Sequence, residues 1–333
     1  MMSALQSQLI DFGQIRDDRF ALARTLEDDI AALRVGAAVP LLASSVLRVT
    51  GADRLDFVQG QLSNDVKGLP VGGVTRALML NHKGHALADV RVLRREGDLI
   101  LIVEGGKGGI VRKSLEDHII FDAVALHDAD DVHVTLQGER VMVLLGELGA
   151  DIGEGHYSAD ATLGAHWFFC RRSDAQGVDG LVPKAQLAQF LNVLTHHNFV
   201  LAGEDALLTA RVVAGIPAVE TEAGEGVLPQ EAGLEQAVSY RKGCYLGQEI
   251  MARIEARGKL RRSLAQLQFV QNDVSGLVVG ADVMQRDKVV GRLGAFANHP
   301  ERGAIALAVV RNDLGSDRVT VGGLEARLHY LIG

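Results

Sequence analysis

Arg241-Lys242-Gly243-Cys244-Tyr245-Leu246-Gly247-Gln248-Glu249 places one of the chain's two cysteines between a pair of cations and the start of a predicted helix. Downstream, Leu246, Ile250 and Ile254 recur every four residues, while Glu249 and Arg253 stand four apart, the spacing of an ion pair on another helical face. Gly258 follows at the position where glycine commonly closes a helix. The spacing therefore puts Cys244 at or just before a helix N-terminus, with Arg241 and Lys242 beside it. Both features favour thiolate over thiol and mark Cys244 as a candidate nucleophile or metal-seeking sulfur. The plainer alternative is a small hydrophobe packed in a tight turn.

Outward from this stretch the basic character continues. Between Arg241 and Arg262 there are seven cations (Arg241, Lys242, Arg253, Arg257, Lys259, Arg261, Arg262) against Glu249 and Glu255, a local balance of +5 in a chain of net charge −8. A basic island in an acidic protein suggests a site for an anion rather than general adhesion to nucleic acid, and direct DNA binding is not expected. A solvated charged helix face is the bland reading of the same residues.

The 333 residues are 47% hydrophobic and 23% charged, enough chain for two or three domains with cores of their own. No apolar run approaches a membrane span, and Asp11, Arg16, Asp17, Asp18 and Arg19 interrupt any signal-peptide core. Cys170 and Cys244 alone supply neither a disulfide framework nor a four-cysteine metal site, so a cytoplasmic protein with no metal centre of its own is expected.

In chain order, Leu22, Leu26, Ile30 and Leu33 have helical spacing. A strand over Val46–Val49 precedes a helix over Ala52–Leu62. Strands follow at Thr75–Leu80 and Leu87–Leu93, joined by Asn81-His82-Lys83-Gly84-His85. Asp89, inside the second of these, is either an exposed alternate position or a placed functional acid. After a strand at Leu99–Val103, Glu104-Gly105-Gly106-Lys107-Gly108-Gly109 lacks both phosphate-loop patterns and reads as a connection into a helix from Ile110 to about Ile119. Val132–Leu136 and Val141–Leu145 are expected to form a hairpin, with strands at Trp167–Arg171 and Gly180–Val182 and a helix over Lys184–His196. Cys170, within Trp167-Phe168-Phe169-Cys170, reads as core packing. His82 and His85 lack metal-protease spacing, and no nucleophile elbow of a serine hydrolase occurs. The twice-repeated strand–helix order favours α+β layers. From Leu264 onward, short strands (Leu264–Phe269, Leu277–Val279, Asp282–Gln285, Val289–Leu293, Ala304–Val310, Arg318–Val321, Leu324–Leu328) alternate with glycine and asparagine turns, the texture of a small antiparallel barrel.

Lys242-Gly243-Cys244-Tyr245-Leu246-Gly247-Gln248-Glu249 resembles the K-G-C-[FY]-x-G-Q-E signature of YgfZ-type folate-binding proteins, relatives of the glycine-cleavage T-protein, an aminomethyltransferase. Gly51-Ala52-Asp53-Arg54, Gln59-Gly60-Gln61, Asn64-Asp65, Lys83-Gly84, the run from Arg211 to Pro217 and Pro229-Gln230-Glu231 extend the likeness over most of the chain. The resemblance implies an α+β fold with two ferredoxin-like folate-binding parts followed by a C-terminal antiparallel β-barrel. The parts would span residues 1–125, 126–262 (ending in the cysteine-motif helix) and 263–333. It implies tetrahydrofolate or a derivative as cofactor, iron–sulfur proteins or their assembly machinery as partners, and an indirect effect on tRNA modification. Carried over residue by residue, Cys244, Lys242 and Asp89 would be the catalytic positions. Asn64, Lys83, Asp89, Arg211, Tyr245, Gln248, Glu249 and Arg253 would touch the folate.

The chain also departs from the T-protein pattern. Gly84-His85-Ala86-Leu87-Ala88-Asp89 keeps at most one acid of a carboxylate pair, and the pterin-holding glutamate falls on Val213, which accepts no hydrogen bond through its side chain. Aminomethyl transfer of the T-protein kind is therefore not the leading expectation. A folate-dependent one-carbon transferase using Asp89, and an RNA-binding or docking module using the basic segment, stand as the alternatives to a folate-binding iron–sulfur maintenance factor.

Overall fold

The computed structural model describes residues 14–16, 19–21, 24–258 and 260–331. They divide into two compact units. One takes the described residues up to Phe57 with Val66–Thr75 and Val90–Ala210; the other takes Val58–Asp65, Arg76–Asp89 and the described residues from Arg211 onward. The chain thus passes between units inside single elements, along the helix Arg54–Gln61 and the strands Val74–Leu80 and Ala86–Arg94.

The first unit is built on two sheets. A six-stranded sheet has the order Tyr157–Ala159, His166–Phe169, Gly177–Pro183, Asp131–Gln137, Ala37–Pro40, Val200–Leu201. Only its last pair is parallel. The helices Val141–Glu147 and Leu187–His196 bury Leu144, Leu145, Phe190 and Leu194 with Trp167 and Val178 of this sheet. Those apolar side chains account for most of the drive to form this layer. The helix Leu26–Val35 opens on Thr25, whose hydroxyl accepts from Asp28 N, and packs Ile30 and Leu33 against Ala206 and Leu207. The predicted periodic residues Leu26, Ile30 and Leu33 therefore lie on one helix, while Leu22 falls outside the described residues.

A five-stranded sheet has the order Val74–Leu80, Ala86–Arg94, Leu99–Val103, Ser45–Thr50, Ala125–Asp128. Its Val46, Leu93, Ile100 and Ile102 share a core with Phe168 and Leu181 of the six-stranded sheet and with Cys170, just past its strand His166–Phe169. Cys170 is buried as predicted, and burial pushes its thiol up to about 12. Beside it lies a closed ion cluster. Arg172 donates to Asp179 at 2.8 and 2.6 Å and to Glu104 at 3.0 and 2.8 Å, and His133 Nε2 meets Asp179 at 3.1 Å. Burial raises both carboxyls, but the Arg172 guanidinium outweighs it, holding Glu104 at about 2 and Asp179 well below the usual carboxylate range. Glu104 thus anchors the glycine-rich turn that leads into the helix Gly108–His118.

In the second unit the barrel closes in the order Arg262–Phe269, Gly303–Arg311, Lys288–His299, Asp282–Gln285, Arg318–Val321, Leu324–Tyr330, antiparallel throughout. Leu267, Phe269, Val283, Leu293, Val310 and Val321 fill it, and closure leaves no sheet edge open.

Two predicted elements are corrected. Val141–Leu145 is not the return strand of a hairpin but the start of the helix Val141–Glu147, which buries Val141, Leu144 and Leu145 at helical spacing and exposes Val143. Leu277–Val279 is not a strand either, because only Leu277 turns inward while Val278 and Val279 are exposed.

Candidate functional site

The cysteine segment lies wholly in the second unit. Cys244 is exposed and sits three residues ahead of Gly247, the N-cap of the helix Gln248–Arg257, which ends on Gly258 at φ 62° as the sequence predicts. Gly247 adopts φ +85°, and a Cβ there would stand 2.8 Å from Asn81 O. Gly84, at φ +77°, would drive a Cβ to 2.7 Å from Met251 Cε. Two glycines thus let the 81–85 turn lie against the start of the cysteine helix where side chains would collide. Asn81 Oδ1 holds that turn by accepting from Lys83 N at 2.9 Å and His85 N at 3.0 Å. Glu249 and Arg253 pair across one helical turn on the exposed face.

Lys242 does not point at the thiol. Its ammonium is buried and donates to three backbone carbonyls, Gln59 O and Leu62 O at 2.5 Å each and Asn64 O at 2.8 Å. It also stands 4.9 Å from the centre of the Tyr245 ring. The carbonyls come from the last turn of the helix Arg54–Gln61 and the residues after it, so Lys242 serves as a cationic cap on that helix's C-terminus. Burial pushes its amine down to about 8, and burial pushes the Tyr245 phenol up to about 12. The expected role of Lys242 as an activator of Cys244 is corrected to that of a clamp that fixes the chain two residues upstream of it.

Asp89 is buried rather than at an exposed alternate position. Arg76 Nε lies 3.1 and 3.0 Å from its two oxygens, and Arg76 Nη2 also donates to it. Asn64 Nδ2 donates to Arg76 O at 2.8 Å and Gln236 O at 3.1 Å, and Ser63 joins Leu78 N to Ala237 O. Asn64, Asp89 and Lys242 are thereby brought into one network around residues 59–65. Arg211 stands apart, donating to Ile216 O at 2.7 Å and to buried Glu222 at 2.9 Å. Val213 offers only its carbonyl, taken by Gln266 at 3.1 Å. Tyr245 and Gln248 flank the N-cap, where Gln248 N donates to Tyr245 O at 3.2 Å.

Residues 22–242 match the family described as the GCVT N-terminal domain. The chain belongs to the GCVT family. This GCVT-family chain is 26% identical to the tRNA-modifying protein YgfZ of Yersinia enterocolitica over 85% of its own length and 91% of that protein's. It is 27% identical to the aminomethyltransferase of Exiguobacterium sibiricum, over 81% and 77%. The glycine cleavage system aminomethyltransferase T of Bartonella henselae superposes with a TM-score of 0.81, covering 93% of this chain and 90% of that one at 16% identity. The α+β body with a C-terminal six-stranded barrel is thus the T-protein fold.

In this GCVT-family protein three of the seven cations of the basic island are engaged. Arg262 is held by Glu231 at 3.0 and 2.7 Å, Arg253 by Glu249, and Lys242 by carbonyls, leaving Arg241 and Arg261 exposed. Lys259 and the Arg257 side chain lie outside what is described. The sequence reading missed Gln230. It is buried, donates to Tyr240 Oη at 2.7 Å and Met251 Sδ at 3.3 Å, and its Oε1 has no partner among the described residues. Its place in Pro229-Gln230-Glu231, within the quoted resemblance, was the available signal. His85 accepts from Gly226 N at 3.3 Å, and burial, then Lys83, lowers its pKa. Among the described residues no group of three or more His, Cys, Asp or Glu side chains is placed to hold a metal ion, and no helix is long and apolar enough to cross a membrane.

Proposed function

We propose that this protein is a cytoplasmic reduced-folate-binding factor that uses Cys244 to support the assembly or repair of iron–sulfur proteins, and through them tRNA modification. The observation that carries the reading is an exposed thiol on a main chain that is clamped on both sides, by Lys242 upstream and by the Gly247 contact downstream. Such a thiol reaches a partner without losing its position. One thiolate supplies a single ligand and cannot hold a cluster alone, so Cys244 acts on the cluster, or the damaged cluster, of a partner. The relatives named tRNA-modifying protein support this branch over the aminomethyltransferases.

The residues present suit a folate. Gln230 Oε1 is a buried acceptor without a donor among the described residues, the kind of group that pairs with a pterin N–H, and exposed Lys83, with no ion pair among the described residues, suits a glutamate carboxylate. Aminomethyl transfer is disfavoured, because Asp89 is committed to Arg76 and Val213 supplies no carboxylate. Titration with tetrahydrofolate at near-physiological salt tests the folate half; a micromolar constant, about 8 kcal/mol, is expected with a rise in melting temperature. Cys244→Ser tests the other half in a strain lacking the protein. Loss of complementation is expected, and full complementation removes the cysteine from the mechanism.

A further inference from the structure

The barrel of the second unit carries an opening of about 1090 Å³, at the upper end of the volumes that hold small ligands. It is bounded by the Gln285–Lys288 turn, the loop after the strand Gly303–Arg311, and parts of the strands Arg318–Val321 and Leu324–Tyr330. Buried Phe269, Val290 and Val319 contribute apolar lining. Arg286, Lys288 and Arg318 contribute charge, and all three are exposed.

Several arginines of this chain meet carboxylates, as Arg76 does with Asp89, Arg172 with Asp179 and Arg262 with Glu231, and others such as Arg94 and Arg140 donate to carbonyls. At the opening itself Arg311 is already neutralised by Asp313, and Arg327 lies 3.9 Å from Asp317. Arg286, Lys288 and Arg318 differ: none has an ion pair among the described residues, although Asp287 and Glu325 line the same opening. Arg286 further adopts φ 54°, a left-handed conformation that glycine or asparagine would take at less cost. The opening is also held in shape, since Gln285 Nε2 donates to Ser316 O at 2.9 Å and Arg318 O at 3.2 Å, tying the turn to the loop. Three cations without ion pairs among the residues lining an apolar-walled, braced recess are the complement of an anion with an apolar body.

We propose that this opening binds a small organic anion that carries a phosphate or carboxylate group beside an apolar or aromatic body. The site is independent of Cys244 and of the folate reading.

Calorimetric titration of the full chain with ADP, and separately with naphthalene-1,4-dicarboxylate, tests it and separates the two anion sources. Saturable one-site binding of at least one probe is expected, weakening as salt rises. Binding of ADP alone identifies phosphate, and binding of the dicarboxylate alone identifies carboxylate. The triple variant Arg286→Ala/Lys288→Ala/Arg318→Ala should weaken that binding by roughly tenfold or more, while Arg318→Glu alone should weaken it by a smaller factor. Both should keep the wild-type melting temperature, because the removed side chains make no ion pairs. Failure of both probes to bind at millimolar concentration, or wild-type affinity in the triple variant, would overturn the proposal.

Discussion

The two cysteines divide the molecule into opposite chemical environments. Cys170 is sealed into the core between two sheets, beside an ion cluster in which Arg172 serves both Glu104 and Asp179. Cys244 is exposed, on a loop whose neighbouring lysine is used to hold backbone. Charge surrounds both, yet it does different things. Around Cys170 the charges neutralise one another and burial pushes the thiol up to about 12. Next to Cys244 the Lys242 charge is spent on geometry. Proximity of a cation in sequence is therefore a poor guide to activation; what matters is where the ammonium's hydrogen bonds go.

The sharpest way to break this contrast is thiol labelling. In native protein iodoacetamide should modify Cys244 roughly a thousandfold or more faster than Cys170, whose thiolate is both scarce and inaccessible. Peptide mapping after timed quenching reads the rates, and comparable labelling of the two would remove the distinction. Next in size, Arg172→Met leaves Asp179 buried without its guanidinium and Glu104 with only Arg91, 3.6 Å away, and should cost about 3–5 kcal/mol in urea unfolding. A near-neutral result would show that the cluster relaxes or takes up water.

Lys242→Met should cost less, about 1–3 kcal/mol, because it uncaps three carbonyls that are partly able to find water. It should also change the labelling rate of Cys244, an effect that mere destabilisation far below the unfolding midpoint does not produce. A signal of comparable size is expected in pH dependence. Burial places the Lys242 amine at about 8, below its ordinary 10.5, so the folded state releases this proton before the unfolded state does. Its contribution to unfolding free energy therefore rises between pH 8 and 10.5. Cys170 and Tyr245, both pushed up to about 12 by burial, act with the opposite sign above about pH 9. The difference between wild type and Lys242→Met isolates the lysine; a flat difference across that window would mean that the carbonyls hold the ammonium charged against burial.

Much of the fold could be read from the residues because the signals were redundant. The barrel strands alternate inward and outward, as Arg318–Val321 does, and glycine or asparagine turns separate them. The cysteine helix announced its end through Gly258. Val141–Leu145 misled because a five-residue apolar run carries no usable period; only packing of Leu144 and Leu145 against Trp167 decides for helix. At the site, the place of Cys244 was legible, but directions were not. Lys242 and Asn64 are 178 residues apart in the chain, and no local pattern encodes that contact. Asp89 was ambiguous for the same reason, since its partner Arg76 lies on the neighbouring strand of the sheet. Gln230 was hidden by being an ordinary polar residue whose importance appears only once its oxygen is seen to lack a donor.

The Lys242 clamp has an evolutionary corollary. It grips main-chain oxygens of Gln59, Leu62 and Asn64. Every amino acid supplies that oxygen, so this contact by itself makes no demand on which side chains the three acceptor positions carry. The lysine itself has no such freedom: among the natural side chains it alone combines a long flexible stem with a compact three-donor cation. The mutational constraint on this contact is therefore one-sided, concentrated in a single residue and invisible to any search for co-varying pairs.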